Sequence, residues 1–295
     1  MSILCVILLV LGSISGQVSS AWQMGLGNNS RRSNGRTLLD FIGKDLELAA
    51  RPLSYPSPPG GPSSLQFVAN VTSASSGSNP TLIPSADMNP HAFFWQAPIA
   101  ANTNMGNLGE IGYFVTWDST SHPGVAKAQL CRFCVDPAAA SSSVTNSNYS
   151  IYPSPGSSPS NWLSSSLIGA VAPASAPSFE GWFADDVIAL WGRCLDDQGN
   201  PLIQSQANPY AYDSKLSYTD TNSVVHPPPA FPAMVEFAIV TVDARTAQRI
   251  HTPILATASN PANFFKEIDA FMQSLPANVK PGARLYTTRV KLLNE

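Results

Sequence analysis

Ile111-Gly112-Tyr113-Phe114-Val115-Thr116-Trp117 is the run whose reading decides the fold class. Its aromatic and β-branched side chains suit a pleated surface, which predicts a strand. Runs of the same kind recur on both sides: Leu65 to Val71, Ala92-Phe93-Phe94-Trp95-Gln96, Ala128 to Val135, Val187 to Leu195 and Val235 to Val242. The last, Leu285 to Leu293, sets Leu285, Thr287, Arg289 and Lys291 against Tyr286, Val290 and Leu292, the alternation of a strand with one exposed face. Charged residues make up 12% of the 295-residue chain, about half the usual share, while 26 prolines and 19 glycines punctuate it. That balance favours short strands joined by turns and polar loops over a helical bundle. The length allows one large domain or two small ones. A net charge of −3 offers no basic field to nucleic acid.

The N-terminus has a different character. Met1 to Ser30 holds no charged side chain, and Ile3-Leu4-Cys5-Val6-Ile7-Leu8-Leu9-Val10-Leu11 is continuously apolar. A cleaved secretory signal has a core of this length, and Val18-Ser19-Ser20 before Ala21 resembles a small-residue cleavage site, although no Lys or Arg precedes the core. A membrane span needs ~20 mostly apolar residues. Ser13, Ser15, Gln17, Ser19 and Ser20 dilute this one, so a span begins upstream of Met1 or tolerates polar positions. A buried core helix is the third reading and fits least, because so uncharged a stretch has no solvent face. Both a retained anchor, the reading adopted, and a cleaved signal place the remainder beyond the cytoplasmic membrane.

Asn28 to Arg36 is polar, with Arg31, Arg32 and Arg36 clustered. Leu38, Leu39, Ile42, Leu46 and Ala49 then recur at helical spacing among Asp40, Lys44, Asp45 and Glu47. This predicts an amphipathic helix over 37–50, capped by Thr37 and stopped before Pro52. A second helix is expected after Asn260 as cap and Pro261 as first residue, with Phe264, Ile268, Phe271, Met272 and Leu275 on one face and an end at Pro276. Ala138 to Ser166 and Gln204 to Pro229 are rich in Ser, Asn and Pro and read as loops, partly disordered. The expected organisation is an N-terminal helical region at 1–50 (apolar 3–23, amphipathic 37–50) and a globular β-rich domain at 51–295.

Few residues carry a chemical signal. Cys131-Arg132-Phe133-Cys134 is a C-x-x-C set in a strand rather than at a helix N-terminus, so the device that lowers a redox thiol's pKa is missing. Residues three apart on a strand face opposite sides, so these two do not readily pair. Cys131 or Cys134 becomes a disulfide candidate with Cys194 if their strands are neighbours, which an oxidising envelope allows. A zinc site needs a second ligand pair, and none stands at suitable spacing. His91 and His226 adjoin prolines and read as solvated loop positions; His122 and His251 belong to no metal or catalytic motif. Asp196-Asp197-Gln198-Gly199-Asn200-Pro201 reads as a turn, since it lacks the alternating carboxylates of a calcium loop. Glu180, Asp185 and Asp186 precede a strand without a base or nucleophile beside them in sequence. No G-x-S-x-G elbow, P-loop or dinucleotide fingerprint occurs. The expectation is a non-enzymatic protein with no catalytic residue, cofactor, metal or evident small-molecule substrate.

The order of elements then carries a resemblance. An apolar helix leads into Thr37-Leu38-Leu39-Asp40-Phe41-Ile42-Gly43-Lys44-Asp45-Leu46, followed by Ala128-Gln129-Leu130-Cys131-Arg132-Phe133. After these come Ala184-Asp185-Asp186-Val187-Ile188-Ala189-Leu190-Trp191-Gly192-Arg193-Cys194-Leu195-Asp196 and Phe231-Pro232-Ala233-Met234-Val235-Glu236-Phe237-Ala238-Ile239-Val240-Thr241-Val242-Asp243. Ala283-Arg284-Leu285-Tyr286-Thr287-Thr288-Arg289-Val290 closes the series. This succession resembles the minor pseudopilin J of type II secretion systems, and more closely the pilin-like family called Verru_Chthon cassette protein C. The likeness covers most of the chain outside the two Ser-rich stretches. It implies an α+β, pilin-like fold: an N-terminal hydrophobic helix followed by a predominantly antiparallel β domain with long Ser/Pro-rich loops. It further implies a single-pass protein of the bacterial inner membrane with its domain in the periplasm, whose partners are other pilin-like subunits. Ile3, Val6, Ile7, Leu8, Leu9, Val10 and Leu11 would form the membrane and assembly helix. Precursors of this family carry a short basic leader and a Phe-Thr-Leu-x-Glu type processing motif ahead of the apolar core. No processing site or assembly glutamate is assigned here; either the start lies further upstream or this copy is degenerate. A β-rich secreted binding or hydrolytic protein with a cleaved signal is the alternative.

Overall fold

The computed structural model describes residues 35–50, 65–70, 88–98, 108–118, 124–135, 182–220, 223–227, 230–257 and 259–292. The apolar segment 3–23, with Ile3, Val6, Ile7, Leu8, Leu9, Val10 and Leu11, lies outside them, as does Ala138 to Ser166. No helix among the described residues is long and apolar enough to cross a membrane.

The described chain is α+β and predominantly antiparallel. Its strands are β1 (Phe67–Ala69), β2 (Met88–Ala97), β3 (Gly109–Asp118), β4 (Lys127–Val135), β5 (Trp182–Asp185), β6 (Val187–Leu195), β7 (Tyr212–Asp213), β8 (Tyr218–Thr219), β9 (Val225–His226), β10 (Met234–Thr241) and β11 (Arg284–Lys291). A six-stranded sheet runs β5-β4-β3-β2-β1-β7, a three-stranded sheet runs β11-β10-β6, and β8 pairs with β9 alone. The seven runs with strand character in the sequence all form strands. Gln204 to Pro229 departs from expectation: it holds β7, β8 and β9 and buries Tyr210, Tyr212 and Ser214. Those strands are two residues each, too short to show any alternation.

One stretch belongs to both large sheets. β5 pairs with β4, β6 pairs with β10, and between them stands Asp186 at φ +63°. Asp186 donates its backbone N–H to the Ala128 carbonyl and accepts at its own carbonyl from the Val242 N–H. Its left-handed backbone bends the chain from one ladder into the next, a corner of the kind that joins packed sheets. Beyond the corner, β6 is buried at every position. Leu190 and Cys194 face the core shared with the six-stranded sheet, whereas Ala189 and Trp191 face a second core.

A helix, α1, spans 35–47 and fills the angle between the sheets. Its Leu39, Ile42 and Leu46 join Phe93, Trp95, Ile111 and Tyr113 of one sheet and Val235, Phe237 and Val290 of the other in a single core. Burying side chains of this size contributes ~1.5–3 kcal/mol each. The helix is already formed at Gly35, so Thr37 is not its cap. A Cβ on Gly35 would stand 2.4 Å from the Tyr286 ring, so glycine lets α1 lie close against β11. The described part of the N-terminal helical region thus shares its core with the β domain.

The other helices follow β10. One turn, α2 (Ala244–Ala247), is capped by Asp243, whose carboxylate accepts from the Thr246 N–H. Asn260 caps the next as expected, accepting from the Ala262 N–H, but its first turn, Pro261–Asn263, is a 3₁₀ helix. The α-helix proper, α3 (Phe264–Ser274), sets Phe264, Ile268 and Phe271 against the outer face of the three-stranded sheet. The Trp191 and Phe271 rings meet edge to face at 4.7 Å.

Where β6 crosses β2, Gly192 leaves room for Phe93: a Cβ there would lie 1.6 Å from the Phe93 ring. Gly192→Ala is therefore expected to lower stability by about 1–3 kcal/mol through overpacking, and trimming the ring in a Gly192→Ala/Phe93→Leu double variant should recover part of that loss. Urea denaturation of the three proteins measures it; an unchanged midpoint in the single variant refutes the contact.

Candidate functional site

The junction of α1 with the six-stranded sheet holds a buried polar cluster. β3 and β4 pair Tyr113 with Arg132, so both side chains leave the same sheet face toward the helix. Asp45 meets them from α1. Its Oδ2 accepts from the Tyr113 hydroxyl at 2.5 Å and from Arg132 Nε at 2.9 Å, and Arg132 Nε also lies 3.0 Å from the Tyr113 oxygen. All three residues are buried. Burial opposes the Arg132 charge, but its hydrogen bond and attraction to Asp45 outweigh that and hold it protonated. Burial, then the Asp45 hydrogen bond, push the Tyr113 phenol above its ordinary range. The Trp95 indole N–H donates to the Asp45 carbonyl, and the Arg132 guanidinium stands 5.4 Å over the Phe41 ring. After the helix, the Ala50 N–H donates to the Gln96 carbonyl and ties the departing chain to β2. The sequence set Asp45 among the solvent-facing charges of an amphipathic helix; nothing local shows that it faces an arginine 87 residues away.

A second charged group fastens α3. Arg193 on β6 donates from Nε and Nη2 to Glu236 Oε2 at 2.8 and 2.6 Å, and its Nη1 donates to the Pro261 carbonyl. Arg289 completes the row by donating to Glu236 Oε1. The guanidinium of Arg193 also lies 4.8 Å over the Phe264 ring. Both networks are fasteners: every acidic partner already accepts from an arginine or tyrosine, and neither network contains a nucleophile next to a base.

The disulfide candidates do not meet. Cys131, Cys134 and Cys194 are free thiols. Cys131 pairs laterally with Phe114 and Cys134 with Ile111, which puts them on opposite faces of the six-stranded sheet. Cys194 sits near Tyr212, at the β7 edge. Cys194 belongs to the three-stranded sheet and lines the shared core, whereas Cys131 stands beside Phe114 on the face of the six-stranded sheet opposite Tyr113. Burial raises the Cys131 thiol to about 12 and pushes Cys194 well above its usual range, so neither is a thiolate at neutral pH.

Two other expectations change. His91 is not a solvated loop residue: it lies in β2, is 1% exposed, packs edge to face on Tyr210 at 5.1 Å, and is pushed down to about 3 by burial. His226 is solvated as expected, with 41% of its side chain exposed, but it lies in β9 rather than a loop, with Nε2 at 3.1 Å from Asp220 and its ring stacked on Tyr218 at 4.5 Å. The Asp196 turn is as read from sequence. Its carboxylate accepts from the N–H groups of Gln198 and Asn200 and from the Asn200 amide. Among the described residues no group of three or more His, Cys, Asp or Glu side chains is placed to hold a metal. An open cleft of about 500 Å³ lies beside this turn, bordered by Pro201–Gln204 and by Ser217–Asp220.

Comparison with family models, curated proteins and solved structures returns no match for the chain. The site must therefore be read from its own chemistry.

Two predictions concern buried charge. Removing one partner of a buried ion pair strands the other, so Asp45→Ala is expected to cost about 3–5 kcal/mol, whereas the apolar exchange Asp45→Leu/Arg132→Met should cost markedly less. Equilibrium denaturation tests this, and equal losses in both proteins would count against a buried pair. Glu110, on β3 beside Gln96, is 1% exposed, and its carboxyl oxygens have no hydrogen-bond partner among the described residues. Burial raises its pKa well above the carboxylate range. The folded state then binds this proton more tightly than the unfolded chain does. Its contribution to stability is full below the unfolded value of ~4.3 and is lost as pH rises. Glu110→Gln should therefore gain stability over the parent progressively from about pH 4 upward. A difference in denaturation midpoint that stays flat from pH 4 to about 8 would show that the acid is not held neutral.

Proposed function

We propose that this chain is a non-enzymatic pilin-like subunit, of the minor pseudopilin kind, in a type II secretion or type IV pilus-like assembly. In this reading the apolar N-terminal segment sits in the bacterial inner membrane as a single span and packs with the segments of neighbouring subunits. The β-rich domain stands in the periplasm, and the work done is packing rather than chemistry.

The observation that carries the reading is the seat of α1. The uncharged stretch Met1 to Ser30 precedes, beyond Arg31-Arg32-Ser33-Asn34, a helix whose apolar stripe is buried between two sheets and whose Asp45 is ion-paired inside them. Such a helix cannot swivel against its domain without breaking a buried pair. α1 is therefore a fixed part of the β domain, and in this reading it is the base from which a fibre subunit's apolar segment would be carried. The cleft beside the Asp196 turn favours the alternative, a secreted β-rich binding or hydrolytic protein.

Fractionation of envelopes and N-terminal sequencing of the native protein separate the two. The pilin-like reading expects the full chain in the inner-membrane fraction and release of a variant lacking residues 1–22 into the soluble fraction. A soluble native protein whose N-terminus lies near Ala21 overturns it in favour of the secreted alternative.

A further inference from the structure

We propose that the free edge of β11 takes up an extended, acidic segment of a partner protein as a fourth strand of the three-stranded sheet. β11 is eight residues long and pairs with β10 along its whole length in one unbroken register, from Arg284 with Thr241 to Lys291 with Met234. The order β11-β10-β6 leaves it without a described strand on its other side. Leu292 donates its N–H to the Ala233 carbonyl, on the β10 side. The alternation of an antiparallel ladder then turns the N–H and C=O groups of Leu285, Thr287, Arg289 and Lys291 outward, a row ~20 Å long that can hydrogen-bond a guest strand. Edge strands are usually blunted by short length, a bulge or a proline. The other sheet ends are short, shifted or covered: β5 has four residues and a register shift against β4, β7 has two residues, and β6 is buried at every position. β11 has no bulge, proline or glycine. It is also held from both faces, since Gly35 of α1 lies against Tyr286 and Leu285 packs on the core under α3. A strand fixed in this way needs little further ordering to receive another.

The charge of the strand selects its occupant. β11 carries Arg284, Arg289 and Lys291, all exposed, and no acidic residue. Arg289 is engaged by Glu236, yet that one carboxylate also accepts two bonds from Arg193, so the row keeps a net positive charge. Arg284 donates to the main-chain carbonyls of Pro281 and Ala283, which leaves its charge intact. Neither Arg284 nor Lys291 has a carboxylate partner among the described residues. The excess therefore rests on these two. Along α1, the exposed charges of Arg36, Asp40, Lys44 and Glu47 cancel. A second copy is a poor guest: antiparallel pairing of β11 with itself about its centre sets Arg284 opposite Lys291, and like charges directly opposite destabilise a ladder. An acidic strand puts opposite charges across the same positions.

This inference is separate from the pilin-like reading, because the edge belongs to the β domain whether or not an apolar segment anchors it. Its test does not involve membrane attachment. Purified full-length protein in a non-ionic detergent is titrated into each of three fluorescein-labelled octapeptides: alternating threonine and glutamate, alternating threonine and lysine, and alternating proline and glutamate. The last has the acidic charge but lacks every second N–H donor. Thr287→Pro removes an outward N–H from the edge without altering charge, and Thr287→Glu/Lys291→Glu reverses the charge at exposed positions; denaturation midpoints check that both variants are folded. The threonine–glutamate peptide is expected to bind, to weaken with added salt, and to lose at least about tenfold in affinity in each folded variant. The other two peptides are expected to bind at least about tenfold more weakly to the parent protein. The proline–glutamate peptide tests the ladder however well Thr287→Pro folds. Equal binding of either control peptide, no binding of the threonine–glutamate peptide at up to ~1 mM, or affinity unchanged in either folded variant overturns the proposal. A dimer of the parent protein in sedimentation that Thr287→Pro dissolves assigns the edge to a second copy and overturns it too.

Discussion

The run from Trp182 to Leu195 holds the described chain together, because it serves as an edge of one sheet and a strand of the other. Asp186 makes this possible by giving its N–H to one ladder and its carbonyl to the other. A side chain in the left-handed region is costly unless the surroundings over-determine it. Here bonds on both sides of the residue do so. The corner then fixes where everything else can go. The shared core lies in the angle between the sheets, α1 fills that angle, and α3 covers the face of β6 that remains. Such a fold has little freedom to move one sheet against the other, since any rotation must pass through the doubly bonded residue.

Within that frame the two helices are fastened by the same device. In each case an arginine on a strand pairs with a carboxylate and lies over a phenylalanine of the helix: Arg132 with Asp45 and Phe41, Arg193 with Glu236 and Phe264. The planar guanidinium suits this, for it hydrogen-bonds along its edge and stacks across its face, which an ammonium cannot do. The two differ in where the acid stands. Asp45 belongs to the helix itself, so α1 is held by an ion pair, whereas Glu236 belongs to the sheet and α3 is held by a carbonyl and a ring. Buried pairs seldom add much net stability, because desolvation offsets their attraction. What they add is position: an apolar stripe tolerates a helix that slides or turns, and a single buried carboxylate does not.

The strands were legible in the sequence because their signal is local. Ile111 to Trp117 and Val235 to Val242 read as strands from composition alone, and both are. β7, β8 and β9 were not legible, since two residues carry no period, and their segment passed for a loop. The helix at 35–47 was legible through Leu39, Ile42 and Leu46, but its start was not, because Thr37 looks like a cap wherever it stands. His91 passed for a loop residue because Pro90 precedes it, though it stands inside a strand whose backbone tolerates the proline. The candidate site was the least visible part. Asp45 and Arg132 are ordinary in their own neighbourhoods, the one on an amphipathic helix and the other inside a C-x-x-C. Only the antiparallel register of β3 and β4, with the helix laid across it, brings them together.

The low charge of the chain gives these pairings more weight. With 16 basic and 19 acidic side chains in 295 residues, each buried ion pair uses a noticeable part of the supply. The charges are left for places where geometry matters. Arg132, Arg193 and Arg289 all lie inside or at the rim of the packed structure, each against a carboxylate. The carboxylate of Asp196 is the contrasting case: it is bound by backbone N–H groups of its own turn, whereas Asp220 takes the Val224 N–H and pairs with His226. Charge in this chain is therefore spent on position: on arginine pairs where a helix must be seated against a sheet, and on backbone N–H groups where a turn must close.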